Sequence, residues 1–90
     1  MIFGVQPLRT LTMKTHGYAK RQTSVPGLLE MREITFSGSP ASMRDIARFL
    51  TQAADEMEKR RGGFSHLHIR EICPEWLEKW PDVIVSTSKG

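Results

Sequence analysis

No run of apolar residues in this chain approaches the roughly 18–20 needed to span a bilayer. Met1-Ile2-Phe3-Gly4-Val5 stops at Gln6-Pro7, without the charged segment and long apolar stretch of a secretory signal. Cys73 is the single cysteine, which excludes an intrachain disulfide. With no signal, a reducing, cytoplasmic setting is expected, and Cys73 reads as a small packing residue rather than a nucleophile. Catalytic fingerprints are missing too. There is no G-x-S-x-G, no P-loop lysine and no glycine-rich dinucleotide turn. Ser37-Gly38-Ser39 lies at a strand-to-helix turn, but helix capping accounts for it. Paired carboxylates placed for acid–base work are absent, and no cofactor is implied. The expectation is a binding protein and not an enzyme.

Acidic residues are absent from the first 27 positions, which carry Arg9, Lys14, Lys20 and Arg21 for a charge of +4. Residues 28–90 hold nine Lys/Arg against ten Asp/Glu, so the overall +3 belongs to the N-terminal third. A nucleic-acid-binding face would be basic across one whole surface, so a nucleic acid is not the expected partner.

What is present is patterned. At 90 residues the chain has room for one domain. Residues 1–27 read either as a hairpin or as an N-terminal extension, in part disordered, with Met13 or Met31 as alternative starts. Within them, Leu8–Met13 has strand-like content and Thr23-Ser24-Val25-Pro26-Gly27 is a turn signal. Residues 28–90 form the expected domain. Met31-Arg32-Glu33-Ile34-Thr35-Phe36 alternates as a half-buried strand does, with Ile34 and Phe36 on one face. Ser39 then offers a helix N-cap and Pro40 suits the first helical position.

The helix is predicted from Pro40 to Arg61. Met43, Ile46, Ala47, Leu50, Ala53, Ala54 and Met57 recur at i, i+3, i+4, i+7 and mark its expected buried stripe. Asp55–Lys59 and Glu56–Arg60 are supporting pairs, and Gly62-Gly63 is the stop. A second strand is predicted over Phe64–Ile72, about one and a half helical turns over Glu75–Trp80, and a last strand over Val83–Thr87. Ser88–Gly90 reads as a frayed tail. The expected architecture is α+β: a mixed three- to four-stranded sheet, one long helix on one face, and a short helical turn before the last strand. A right-handed crossover through the helix would make the first two of these strands parallel.

Two constellations could carry function. His66 and His68 stand at i, i+2 and so share a strand face. As a metal site the pair needs further ligands, for which Glu71, Glu75, Glu78 or His16 would have to serve, and none has a diagnostic spacing; the plainer reading is a polar recognition face with no metal. Trp76 and Trp80 are either core packing or, with Glu75 and Glu78, an acidic aromatic interface. The expected partner-binding set is His66, His68, Arg70, Glu75, Trp76, Glu78 and Trp80. Two other readings stay open: a small metal-binding domain centred on His-x-His, and a homo-oligomeric structural subunit.

Ile34-Thr35-Phe36-Ser37-Gly38-Ser39, the helix with Ile46-Ala47-x-x-Leu50, His66-Leu67-His68-Ile69 and Asp82-Val83-Ile84-Val85 follow one another in an order that resembles the immunity protein 32 family of bacterial polymorphic toxin systems. The resemblance covers about residues 31–90 and does not include the Glu75–Trp80 turn. It implies a cytoplasmic protein that neutralises a cognate toxin by binding it, with His66 and His68 at family-typical positions.

Overall fold

A computed structural model describes residues 12–87. The strand-like content at Leu8–Leu11 and the tail Ser88–Gly90 lie outside the described residues. The order is β1 (Lys14–Gln22), β2 (Leu29–Ser37), α1 (Pro40–Lys59), β3 (His66–His68), α2 (Ile69–Ile72) and β4 (Ile84–Ser86). The architecture is α+β, with one long helix and two small antiparallel sheets.

β1 and β2 form a hairpin in which Lys14 lies opposite Ser37 and Gln22 opposite Leu29, with register shifts around Ala19. Its connection is set by Val25-Pro26-Gly27-Leu28. The Leu28 N–H donates to the Val25 carbonyl at 3.0 Å, and Gly27 sits at φ +82°. Proline followed by a positive-φ glycine is the requirement of a type II turn. Only Thr15 and Phe36 of the two strands are withdrawn from full exposure, so the ribbon is anchored at its base and stands clear beyond it. Gly17 is needed within it, because a Cβ there would run into the Glu33 carbonyl.

The expected single mixed sheet is therefore not formed. β2 pairs with β1, and β3 pairs antiparallel with β4, so the parallel crossover has no counterpart among the described residues. The reason is local. A six-residue connection with a built-in turn closes more cheaply than a pairing reached through a long helix. The second strand is also much shorter than expected. After His68 the chain turns into α2, with the Cys73 N–H on the Ile69 carbonyl at 2.8 Å, and Ile69 points into the core fully buried. The expected helical turn at Glu75–Trp80 is replaced by two separate tight turns, Trp76 N–H to Cys73 O at 2.9 Å and Trp80 N–H to Leu77 O at 3.0 Å.

The helix forms where the spacing predicts. Ser39 caps it, its hydroxyl accepting from the Ser42 N–H at 3.2 Å, and Pro40 opens it. Arg60 reaches back to Glu56 at 3.2 Å, Lys59 pairs with the same carboxylate, and Gly62 leaves at φ +75°. The buried stripe, however, is Ser42, Asp45, Ile46, Phe49 and Ala53. Ile46 and Ala53 are as expected, and Met43 and Met57 are half-buried, but Ala47, Leu50 and Ala54 face out. At 3.6 residues per turn the stripe is rotated by roughly 80° from the apolar pattern. Phe49 decides it. One fully buried aromatic ring contributes more than a pair of alanines, and the polar members of its face are bonded. Ser42 Oγ donates to the Ser39 carbonyl at 2.9 Å, and Asp45 pairs with Arg48 at 3.4 Å. The core also takes in Met13, Phe64, Leu67, Ile69, Cys73, Trp76 and Trp80.

Gly38, between β2 and the cap, has no room for a side chain. A Cβ there would lie 2.5 Å from Ser42 Oγ, 3.3 Å from Met43 Cε and 3.4 Å from Met13 Sδ. Ser42 is 1% exposed and bonded on both sides, so it cannot step aside. Gly38→Ala is expected to cost about 1–3 kcal/mol. Thermal denaturation followed by circular dichroism would show this as a drop of about 4–8 °C per kcal/mol.

Candidate functional site

β3 is short, but alternation still holds along it. Leu67 is buried, while His66 is exposed and His68 half-buried on the opposite side. The imidazoles lie edge to face with centroids 5.1 Å apart. Residues directly opposite in an antiparallel pair share a face. His68 stands opposite Ile84 and His66 opposite Ser86, so exposed Ile84 and Ser86 complete the patch.

The rim of this patch is fixed by hydrogen bonds. His68 Nδ1 is 2.6 Å from Asp82 Oδ2, and Ser65 Oγ is 3.0 Å from His66 Nδ1. The Glu71 carboxylate accepts the His68 backbone N–H at 3.0 Å. Arg70 ties the following loop down. Its guanidinium donates to the carbonyls of Glu78 at 2.8 Å and Trp80 at 3.0 Å, and pairs with Asp82 at 3.4 Å. Asp82 thus holds His68 with one oxygen and Arg70 with the other.

Of the residues expected to bind a partner, His66, His68 and Arg70 come together here. Glu78 joins through its carbonyl under Arg70. Glu75 lies elsewhere, 3.7 Å from Arg48 of α1. Trp76 and Trp80 are inside the protein, 3% and 4% exposed, with their rings 4.9 Å apart and nearly perpendicular. Of the two readings of this pair, core packing is the one their burial supports, and the acidic aromatic surface is not displayed, because the loop folds both rings inward. Asp82 and Ile84 are the residues that the expected set lacks. The β3–β4 register, continued past His68 and Ile84, places Arg70 against Asp82; two opposite charges at matched distances from the two strands are the sequence signal for that pair.

A second polar cluster, Asp45, Cys73 and Glu75, brings three potential ligand atoms within 4.8 Å of one another. Its cation is already in place. Arg48 donates to Cys73 Sγ at 3.2 Å and pairs with Asp45 and Glu75 at 3.4 and 3.7 Å. The bond to Cys73, then the neighbouring carboxylates, raise the Arg48 pKa above its usual value, so the guanidinium stays charged. This cluster joins the helix to the 73–75 turn and offers no open position.

The patch, the cap and the helix stand in the order that the family motifs predict, and the family model for immunity protein 32 matches residues 33–86, more than half of the 90. The chain belongs to the immunity protein 32 family. No curated protein and no solved structure matches it. The immunity protein 32 segment begins within β2, takes in α1, β3 and α2, and ends with β4. Every residue of the histidine patch therefore lies inside it, and β1 lies before it. No helix among the described residues is long and apolar enough to cross a membrane.

Proposed function

We propose that this chain is a cytoplasmic bacterial immunity protein that neutralises a cognate toxin by binding it, and does so without catalysing a reaction. The observation that carries this reading is family membership, joined to an exposed patch inside the family segment. That patch has the make-up of a recognition surface. His66 and His68 each present a ring that can donate, accept or stack. Ile84, 54% exposed, gives it an apolar centre. Asp82 holds the His68 ring, Ser65 holds the His66 ring and Arg70 holds Asp82 before a partner arrives, which lowers the ordering cost of association. In this reading Trp76 and Trp80 act from beneath, as the floor of the loop that carries Asp82, and Glu75 and Glu78 lie at the margin.

The test is co-production with the toxin encoded beside it. The chain is expected to suppress toxicity and to form a complex that survives purification. Substituting His66 and His68 together by alanine is expected to weaken that complex by about thirtyfold or more, the scale of a hot-spot loss of about 2 kcal/mol. Absence of a complex would overturn the reading. Unchanged affinity of the double variant would move the contact surface elsewhere, the exposed hairpin residues Tyr18, Met31 and Ile34 being next to test.

A further inference from the structure

We infer that His66 and His68 form a two-imidazole site for a divalent transition metal, independent of any toxin contact. Three observations carry it. The first is spacing. A tetrahedral ion bound at about 2.0–2.1 Å by two imidazole nitrogens holds the ring centroids roughly 5.2 Å apart, and these rings are 5.1 Å apart. The i, i+2 positions on a strand supply that separation directly, and pairing of β3 with β4 fixes the backbone beneath both side chains.

The second is the proton placement. Asp82 accepts from Nδ1 of His68 and Ser65 faces Nδ1 of His66, so the Nδ1 atoms are occupied and the Nε2 atoms have no protein partner among the described residues. A carboxylate on Nδ1 holds the proton there and leaves the Nε2 lone pair for an outside ligand. It also increases the donor strength of the ring and fixes its orientation, the arrangement that metal-bound histidines commonly show. His66 is exposed, so its Nε2 is open to the same ion.

The third is local charge. Arg70 is the one cation bonded within this rim among the described residues, and it is directed at Asp82 and at two carbonyls. Glu71, bonded to the His68 backbone N–H, adds a negative charge. Neutral imidazoles select zinc, copper or nickel over magnesium or calcium. With two protein ligands in place of three or four the site is a weak one, and water would fill the remaining positions.

Zinc added to the metal-stripped full chain is the probe, followed by calorimetry and by histidine ring signals in NMR. One equivalent is expected to bind, with the His66 and His68 ring signals moving and that of His16 unchanged. His66→Ala and His68→Ala are each expected to abolish the one-equivalent step. Asp82→Asn, which keeps the shape but removes the charge behind Nδ1, is expected to weaken binding by about 10–100-fold. His66→Ala removes an exposed side chain, so its folding is secure, and circular dichroism checks it. Lack of uptake by the parent chain overturns the inference. So does equal uptake by the His66/His68 double variant, which would assign the metal to other groups.

Discussion

Phe49→Ala is expected to remove a large fraction of the domain's folding free energy. The ring is fully buried at the middle of α1, among Ile46, Ala53 and the side chains of the C-terminal half. Truncating a buried phenylalanine removes its transfer free energy and leaves a cavity, together about 3–5 kcal/mol. A 90-residue chain, at about 0.05–0.15 kcal/mol per residue, holds only about 5–13 kcal/mol in all. Leu50→Ala is the matched comparison. Leu50 is one position on and 46% exposed, so its truncation is expected to cost about 0.5 kcal/mol. Urea denaturation of the two variants measures the difference directly. A larger loss for Leu50→Ala than for Phe49→Ala would mean that α1 buries the other stripe.

That contrast also shows how far the sequence could be read. The helix, its Ser39 cap, its Pro40 start and its Gly62 exit were legible because each depends on neighbours within a few positions. Its rotation was not. The expected and observed stripes share Ile46 and Ala53, and the observed one contains Ser42 and Asp45, whose burial is tolerable only because Ser39 and Arg48 satisfy them. Sheet order failed for a similar reason. The strand was visible at Met31–Phe36, inside β2, but its partner β1 contains Gly17, Ala19 and two register shifts that erase the alternation. The end of β3 at His68 was hidden because Leu67 and Ile69 alternate alike whether Ile69 continues the strand or opens a turn of helix. The histidine pair was legible from its spacing alone. Asp82 required the β3–β4 register, which no local signal prints, and the place of the tryptophans required knowing how the loop closes.

Trp76→Ala is expected to destabilise the protein by about 3–5 kcal/mol, and the reason it does so separates it from its neighbour. Both indoles are buried and in contact, but only one has its polar atom bonded. The Trp76 Nε1–H donates to the Pro81 carbonyl at 2.9 Å, whereas Trp80 Nε1 has no partner among the described residues. Phenylalanine at either position keeps most of the ring and removes the N–H. At Trp76 this breaks a part-buried bond and leaves the Pro81 carbonyl without its indole donor, at about 0.5–1.5 kcal/mol. At Trp80 it removes a donor that burial had already stripped of water, and that gain offsets part of the lost packing. Trp76→Phe is therefore expected to be the more costly of the two by urea denaturation, and the reverse order would show that ring volume, not the indole bond, governs this loop. The consequence reaches the surface. Pro81 adjoins Asp82, and Asp82 fixes His68 and Arg70. Releasing the Pro81 carbonyl frees the segment that positions the patch, so Trp76→Phe is expected to weaken partner binding as well, from a side chain that no partner can touch.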